Sequence, residues 1–357
     1  MSKEIKIKIS NAIKATGYLS LSEFLTYVLY DEEKGYYSKD QIIGRQGDFI
    51  TAPEISQTFG EMIASWIVLN LRMLKIKENF SFCELGPGKG TLMNDIINTT
   101  SKLDKELIKN INNVFFLEKA KIFKQMLRKK FKQSIVSDDF NNFPKSFNII
   151  IANEFFDAIP QNQYIYKNTT WYEKVVALDR EENLCFKLFK ANKISNFLFP
   201  EDNLKEGYTF EYSDYYFSII DRLFKILKKY RGMVLIFDYT KEKNEKNSTL
   251  FSIKDHKYVH PFEYIGSSDI SFKLDFEIFK KVAVNNNCYA LGPVSQSFFL
   301  QRLGINERFE ILIKKNPKKR KYLLEQKKRL VSNSQMGEKF KVLAIYDTKP
   351  DIKYGFE

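Results

Sequence analysis

The chain has little with which to build a metal site or a disulfide framework. Cysteine occurs three times in 357 residues, as Cys83, Cys185 and Cys288. These are far apart and odd in number, with no pair at metal-ligand spacing. Histidine occurs only as His256 and His260, which argues against a zinc centre built from His and Cys, and no metal is expected. No apolar run approaches the roughly 18 residues that a membrane-spanning helix needs. The longest, such as Phe147 to Ala152, are strand-sized. The opening segment MSKEIKIKIS alternates charges and has no apolar stretch of signal-peptide type, so no secretory leader is expected. These absences exclude a helical membrane protein, a fibrous protein and a chain disordered throughout. They point to a soluble protein of a reducing compartment, bacterial cytoplasm being the expected one and mitochondrial matrix the alternative.

What is present fits a sizeable globular fold. At about 150 residues per domain the length allows roughly two domains, or one large decorated one. With 44% hydrophobic and 15% aromatic residues there is ample material for a core. The net charge of +13 invites a nucleic-acid hypothesis, but Lys, Asn, Ile and Phe are abundant together, as AT-biased coding would produce. Lysine is dense only in KKNPKKRKYLLEQKKR (314–329), read here as the solvated basic face of a helix rather than as a nucleic-acid site.

Along the chain, residues 1–76 read as a helical extension around a loop. Leu21, Phe24, Leu25, Val28 and Leu29 have helical spacing, with Ser20 or Ser22 as N-cap. GYYSKDQIIGRQGDFITAPEIS (35–56) breaks the pattern with Gly35, Gly44, Gly47 and Pro53 and is predicted to be loop. A helix follows at about 57–75. From about residue 80 the grammar becomes strand–turn–helix, with strands at 80–85, 114–117, 135–136, 147–152 and 233–237. Strands alternating with helices predict an α/β layered sheet over 77–357. Residues 161–209 break the rhythm and are read as an inserted hairpin, 163–166 with 171–177. In the tail the pattern predicts a helix near 274–286, a strand pair including Phe298 to Leu300, a basic helix and a final strand, 341–346.

The sharpest local signal is Glu84-Leu-Gly86-Pro-Gly88-Lys-Gly90-Thr91 directly after a strand. Its glycines let a ligand approach the backbone, and the following helix N-terminus offers free N–H groups. A dinucleotide fingerprint GxGxxG needs glycine where Thr91 stands, and a P-loop needs its lysine after the last glycine, whereas Lys89 precedes Gly90. What remains is ExGxGxG, the turn of methyltransferases that use S-adenosylmethionine (SAM) on a Rossmann-like core. Glu118, ending the second strand, is placed to accept hydrogen bonds from two ribose hydroxyls and would repel a phosphorylated ribose. Asp138 and Asp139 follow the third strand, where they either reach an adenine amino group or form a surface turn. The fourth strand ends in NEFFDAIP (153–160), at the edge that commonly faces the transferred methyl group in such folds. Asn153 is grouped with the cofactor-side residues and can accept from an amine. Glu154 and Asp157 suit a guanidinium, whose fork matches carboxylates, or else cap the next helix.

These segments resemble the MidA family of SAM-dependent methyltransferases, which includes the mitochondrial complex I assembly-factor arginine methyltransferase. The likeness runs nearly end to end, through LYDEEKGYY (29–37), IGRQGDFITAPEISQTFGE (43–61), ELGPGKGTL (84–92), NEFFDAIPQNQ (153–163), FDY (237–239), SSDISFKLDF (267–276), QSFFLQRLGI (296–305) and MGEKFKVL (336–343). The resemblance implies a class I methyltransferase core with a seven-stranded, mostly parallel sheet. It also implies a GDFITAPE loop closing over SAM, with Asp48, Thr51, Pro53 and Glu54 nearest. The implied activity is methylation of an arginine on a hydrophilic-arm subunit of respiratory complex I, with Glu54, Glu154 and Asp157 beside the guanidinium. Two positions depart from the family pattern: Thr240 stands where glycine is usual, and Lys273 replaces a histidine.

Two other readings compete with this one. A SAM-binding assembly factor with little turnover would keep the glycine turn, but the intact acids at the fourth-strand edge favour an enzyme. A nucleic-acid methyltransferase would suit the charge. Against it, NEFF is not the Asn/Asp-Pro-Pro-aromatic signature common in base-amino methylation, and no stacking motif is present.

Overall fold

A computed structural model describes residues 3–38, 51–191, 204–242, 245 and 247–357. Its centre is a seven-stranded sheet. The strands are β1 (Phe80–Leu85), β2 (Ile111–Leu117), β3 (Ile135–Ser137), β4 (Phe147–Asn153), β5 (Gly232–Tyr239), β6 (Tyr289–Ser295) and β7 (Phe340–Tyr346). Their order is β6–β7–β5–β4–β1–β2–β3, and β7 alone runs against the others. The order reverses between β1 and β4, the point at which open α/β sheets form a ligand crevice beyond their carboxyl ends.

The central strands are apolar along their length because both faces are covered. In β4, Ile149 and Ile151 face one core, while Ile150 and Ala152 face the other. The first core is filled by α4 (Gln57–Met73), α5 (Thr91–Leu103), α6 (Lys121–Lys130), α9 (Gln296–Arg302), α10 (Ile305–Lys315) and α11 (Arg320–Val331). The second is filled by α7 (Asp214–Tyr230) and α8 (Phe276–Asn285).

The first 76 residues are divided between two cores, so a boundary at 76 does not describe the packing. Helices α1 (Lys3–Thr16) and α2 (Leu21–Tyr30) bury Ile5, Ile9, Phe24 and Val28 in a third core with Val176, Ile270 and Phe272. Helix α4 instead belongs to the first core of the seven-stranded sheet, where Trp66 packs against Phe299 and Tyr346. Ser20 proves to be the N-cap of α2, in a reciprocal box with Glu23, while the Ser22 N–H is taken by Asn162 Oδ1 at 2.8 Å.

The inserted hairpin is found, with Tyr166 opposite Trp171, but it is part of a larger antiparallel sheet. Leu184–Lys190, Thr209–Tyr212 and Leu19–Ser20 add three further strands. A three-stranded sheet, Phe251–Lys254, Lys257–Val259 and Asp269–Ser271, was not anticipated.

Two other expectations are corrected. Phe298 to Leu300 lie in α9, where the Ser295 hydroxyl caps the helix by accepting from the Phe298 N–H at 3.2 Å. A short apolar run has no period of its own, and the cap decides. Within the predicted loop, Ala52–Ile55 form a short helix, α3, begun by Thr51 with Pro53 in its first turn. No helix among the described residues is long and apolar enough to cross a membrane, and the described residues include no group of three or more His, Cys, Asp or Glu side chains placed to hold a metal ion.

Candidate active site

The site assembles where β1, β2, β3 and β4 end. After β1 the chain turns through Gly86, whose N–H donates to Leu117 O at 3.0 Å, so the turn is pinned to the neighbouring strand. Gly86 has φ 63° and a Cβ there would stand 2.9 Å from Phe155 Cδ2. Gly90, φ 65°, begins α5 in a pocket closed by Phe131 and Leu127. At both positions only glycine fits without strain or displacement. The turn borders a cavity of about 290 Å³. Gly86, Gly88, Glu118, Asp138, Asp139 and Glu154 line it together with Tyr30, Tyr37, Phe140, Tyr215 and Arg222.

Two carboxylates flank the turn. Glu84, in β1, is 3% exposed. It takes the Met93 backbone N–H, yet its Oε2 has no hydrogen-bond partner. Burial raises its pKa to about 8. Glu118 directly follows β2, and its Oε1 accepts from the Ala120 N–H at 2.7 Å, with the Lys119 and Gly88 N–H groups also directed at the carboxylate. Burial outweighs those donors and raises Glu118 to about 7.

Asp138 reaches the cavity, but its carboxylate is held by Lys124 Nζ at 2.7 Å, which keeps its pKa low. Asp139 turns back onto the Asn141 N–H at 2.9 Å, so there it forms the turn. Asn153 donates from Nδ2 to Glu154 Oε1 at 3.1 Å.

The fourth-strand edge is not a helix cap. After Asn153 the backbone turns at Glu154, φ 53°, whose N–H donates to Phe237 O at 2.9 Å, and no helix follows. Asp238, fully buried at the end of β5, holds this turn open. Its Oδ2 accepts from the Phe156 and Asp157 N–H groups at 3.1 and 3.4 Å, and its Oδ1 from Tyr239 N–H at 2.9 Å. Burial raises Glu154 to about 7. Burial, then the neighbouring Asp238, Asp269 and Glu154, push Asp157 well above the usual carboxylate range. Asp238 moves the same way, through burial and Glu154.

Helix α3 joins this edge to the glycine turn. Its Ala52 N–H is directed at the Glu154 carboxylate, and Glu54 Oε1 accepts from Thr91 Oγ1 at 2.5 Å. Thr51 and Pro53 sit in that first turn, beside α5, whereas Asp48 lies outside the described residues. Glu54, Thr91, Asn153 and Asp157 are not among the residues that line the cavity, although Asn153 is hydrogen-bonded to Glu154 on its rim and Glu54 to Thr91 beside the glycine turn. Sequence reasoning missed Asp238 and Asp269 as members of the acid group, and the aromatic and Arg222 walls of the cavity. Tyr30 and Tyr37 lie in LYDEEKGYY and were within reach; Tyr215 and Arg222 sit in an ordinary amphipathic helix, which carries no local sign of a cavity.

The fold and the glycine-turn crevice define a class I methyltransferase architecture. Residues 62–294 match the family described as "Putative S-adenosyl-L-methionine-dependent methyltransferase", and the chain belongs to it. It is 28% identical over 378 residues to the Drosophila melanogaster "Protein arginine methyltransferase NDUFAF7 homolog, mitochondrial", covering 97% of this chain and 84% of the relative. With the Homo sapiens "Protein arginine methyltransferase NDUFAF7, mitochondrial" it shares 27% identity over 361 residues, 93% of this chain and 81% of the relative. A solved structure from Burkholderia thailandensis, a "likely methyl transferase" bound to S-adenosyl-homocysteine, superposes with a TM-score of 0.80 at 21% identity. That match covers 100% of this chain and 93% of the other and shows the shared fold.

The protein is thus a SAM-dependent methyltransferase, and its residues fit that cofactor. A buried carboxylate with one unpartnered oxygen suits an ammonium group, a glycine turn admits close backbone approach, and Glu118 offers acceptors to hydroxyls.

Proposed function

We propose that the protein methylates an arginine side chain of a protein substrate. The observation that carries this reading is a group of carboxylates beside the glycine turn without a cation. Among the described residues, no ion pair involves Glu154, Asp157 or Asp238. A guanidinium supplies the missing charge and matches paired carboxylates in shape. The relatives' names, protein arginine methyltransferase, support the same substrate class.

In this account Glu84 holds the ammonium of SAM, Glu118 its ribose hydroxyls, and Gly86, Gly88 and Gly90 admit it to the backbone. Asp138 and Asn153 border it, and Thr51, Pro53, Thr91 and Asp48 belong to the segments that cover it. The cofactor supplies a methyl group on a sulfonium. Glu154 and Asp157 orient the guanidinium so that a nitrogen lone pair faces the methyl carbon. As the N–C bond forms and the C–S electron pair passes to sulfur, the nitrogen loses a proton. Glu154, with a pKa near neutrality, is the acceptor for it. Glu54 steadies this edge through Thr91. The MidA resemblance supports a hydrophilic-arm subunit of respiratory complex I as the substrate, methylated in support of assembly.

The proposed compartment is bacterial cytoplasm, with mitochondrial matrix as the alternative that the relatives' names suggest. All three cysteines are free thiols, as in a reducing compartment. Incubation with SAM and a complex I hydrophilic-arm subunit, followed by peptide mass spectrometry, tests the reading. Methylated arginine is expected. Methyl groups found only on lysine or on nucleic acid would overturn it.

A further inference from the structure

Beside the carboxylate group stands a row of aromatic rings that line no part of the cofactor cavity. Tyr239, at the end of β5, packs on Phe340 with ring centroids 4.1 Å apart and an interplanar angle of 45°. On its other side lies Phe251, at 6.0 Å, and beyond that Tyr258, 6.2 Å from Phe251. The row climbs from the carboxyl end of the sheet into the Phe251–Val259 hairpin. Tyr258 is 80% exposed, the most exposed of the large apolar side chains among the described residues.

The hairpin is tied to the segment that runs past Asp157, where the Phe272 N–H donates to Asp157 O at 3.2 Å. Its first strand pairs with Asp269–Ser271, so that Ile253 stands opposite Asp269 and Phe251 opposite Ser271. Asp269 is one of the charges acting on Asp157. Burial first, then the charges of Glu154, Asp157 and Asp238, raise the Tyr239 hydroxyl, so the inner part of the row lies within electrostatic reach of the carboxylates. Lys254 pairs with Lys257 across a two-residue turn, which keeps the arm short.

We propose that this hairpin is the substrate arm, with Tyr258 and Tyr239 as the wall along which the substrate's arginine side chain enters. The proposal rests on the arginine reading above and adds to it the residues that select the side chain. A guanidinium is planar and weakly hydrated, so it stacks on aromatic faces, and its three-carbon stem packs on them as well. Carboxylates at the inner end and the exposed Tyr258 ring at the outer end are complementary to an arginine on an exposed protein segment. A lysine ammonium lacks the flat face that the rings would cover. Tyr258 is a specificity-determining residue in this account, and the acids remain the groups that meet the reacting nitrogen.

The test uses the full chain loaded with S-adenosyl-homocysteine and titrated with acetyl-Gly-Arg-Gly-amide and its citrulline counterpart, followed by NMR. Wild type should bind the arginine peptide in preference to the citrulline one. Tyr258→Ala should weaken arginine-peptide binding about three- to tenfold, the scale of a cation–π contact, and Tyr258→Phe should restore it to within about twofold. S-adenosyl-homocysteine affinity serves as the control for folding and should not change. Arginine-peptide binding by Tyr258→Ala equal to wild type would overturn the substrate arm while leaving the arginine reading intact. Wild type without preference for arginine over citrulline would overturn the arginine reading, and the arm with it.

Discussion

Replacing Gly86 with alanine separates a local backbone cost from an effect on the cofactor. Gly86 has φ 63°, and a non-glycine residue in that conformation costs about 1–2 kcal/mol. The added Cβ would also stand 2.9 Å from Phe155 Cδ2, and Phe155 is part of the cavity wall. Gly17, after α1, provides the control: its φ is 86°, nothing lies within 4 Å of a built Cβ, and it is absent from the cavity lining. Both substitutions should therefore lower stability by about 1–2 kcal/mol. At about 2.1 cal/mol/K of unfolding entropy per residue, that is about 1–3 °C in Tm for a chain of this length. Only Gly86→Ala should also weaken SAM, by about 1–2 kcal/mol of overpacking where the ligand sits, or roughly 5- to 30-fold in Kd. Calorimetry with SAM and thermal melts of both variants measure the two effects. Equal SAM affinity in Gly86→Ala and Gly17→Ala would refute the placement of the cofactor against the turn.

Two further outcomes follow from the buried groups. Glu84 and Glu118 are raised from 4.5 to about 8 and about 7 by burial, so the empty folded protein holds protons that the unfolded chain releases. Its stability should fall as pH rises from 4.5 towards 8, and SAM binding, which favours the carboxylates, should release protons; affinity should rise from about pH 6 to about pH 7.5. Calorimetry in buffers of different ionisation enthalpy measures this, and pH-independent affinity without proton release would contradict it. In the core, Trp66 is fully buried between Phe299 and Tyr346 and donates to Tyr354 O at 3.1 Å. Trp66→Ala should cost about 3–5 kcal/mol, or about 4–7 °C in Tm, and a smaller loss would mean that the boundary at 76 is real and α4 peripheral.

The parts of this fold legible in the sequence are those whose signal is local. Strands β1, β4 and β5 are short apolar runs covered on both faces. The glycine turn was legible because its spacing excludes the alternatives, and Glu118 because it directly follows the next strand. What escaped notice depends on pairing at a distance. The Leu184–Lys190 strand is half exposed, and among the described residues it pairs only with Thr170–Leu178, so its alternation is weak. Asp238 reads as a strand end; its role in holding the Glu154 turn appears only when β4 and β5 are side by side. The aromatic row is scattered over 239, 251, 258 and 340, and the fold alone brings it together. Lys273, which departs from the family pattern, pairs with Glu245 at 2.7 Å and so has a partner of its own.

The central claim is that SAM binds across the glycine turn with its ribose on Glu118. Isothermal calorimetry with SAM on wild type and on Glu118→Ala tests it most directly. Saturable binding by wild type is expected, weakened in the variant by about 1–3 kcal/mol, the scale of losing hydrogen bonds to a charged group. No binding by wild type, or equal binding by a folded Glu118→Ala, would contradict the account.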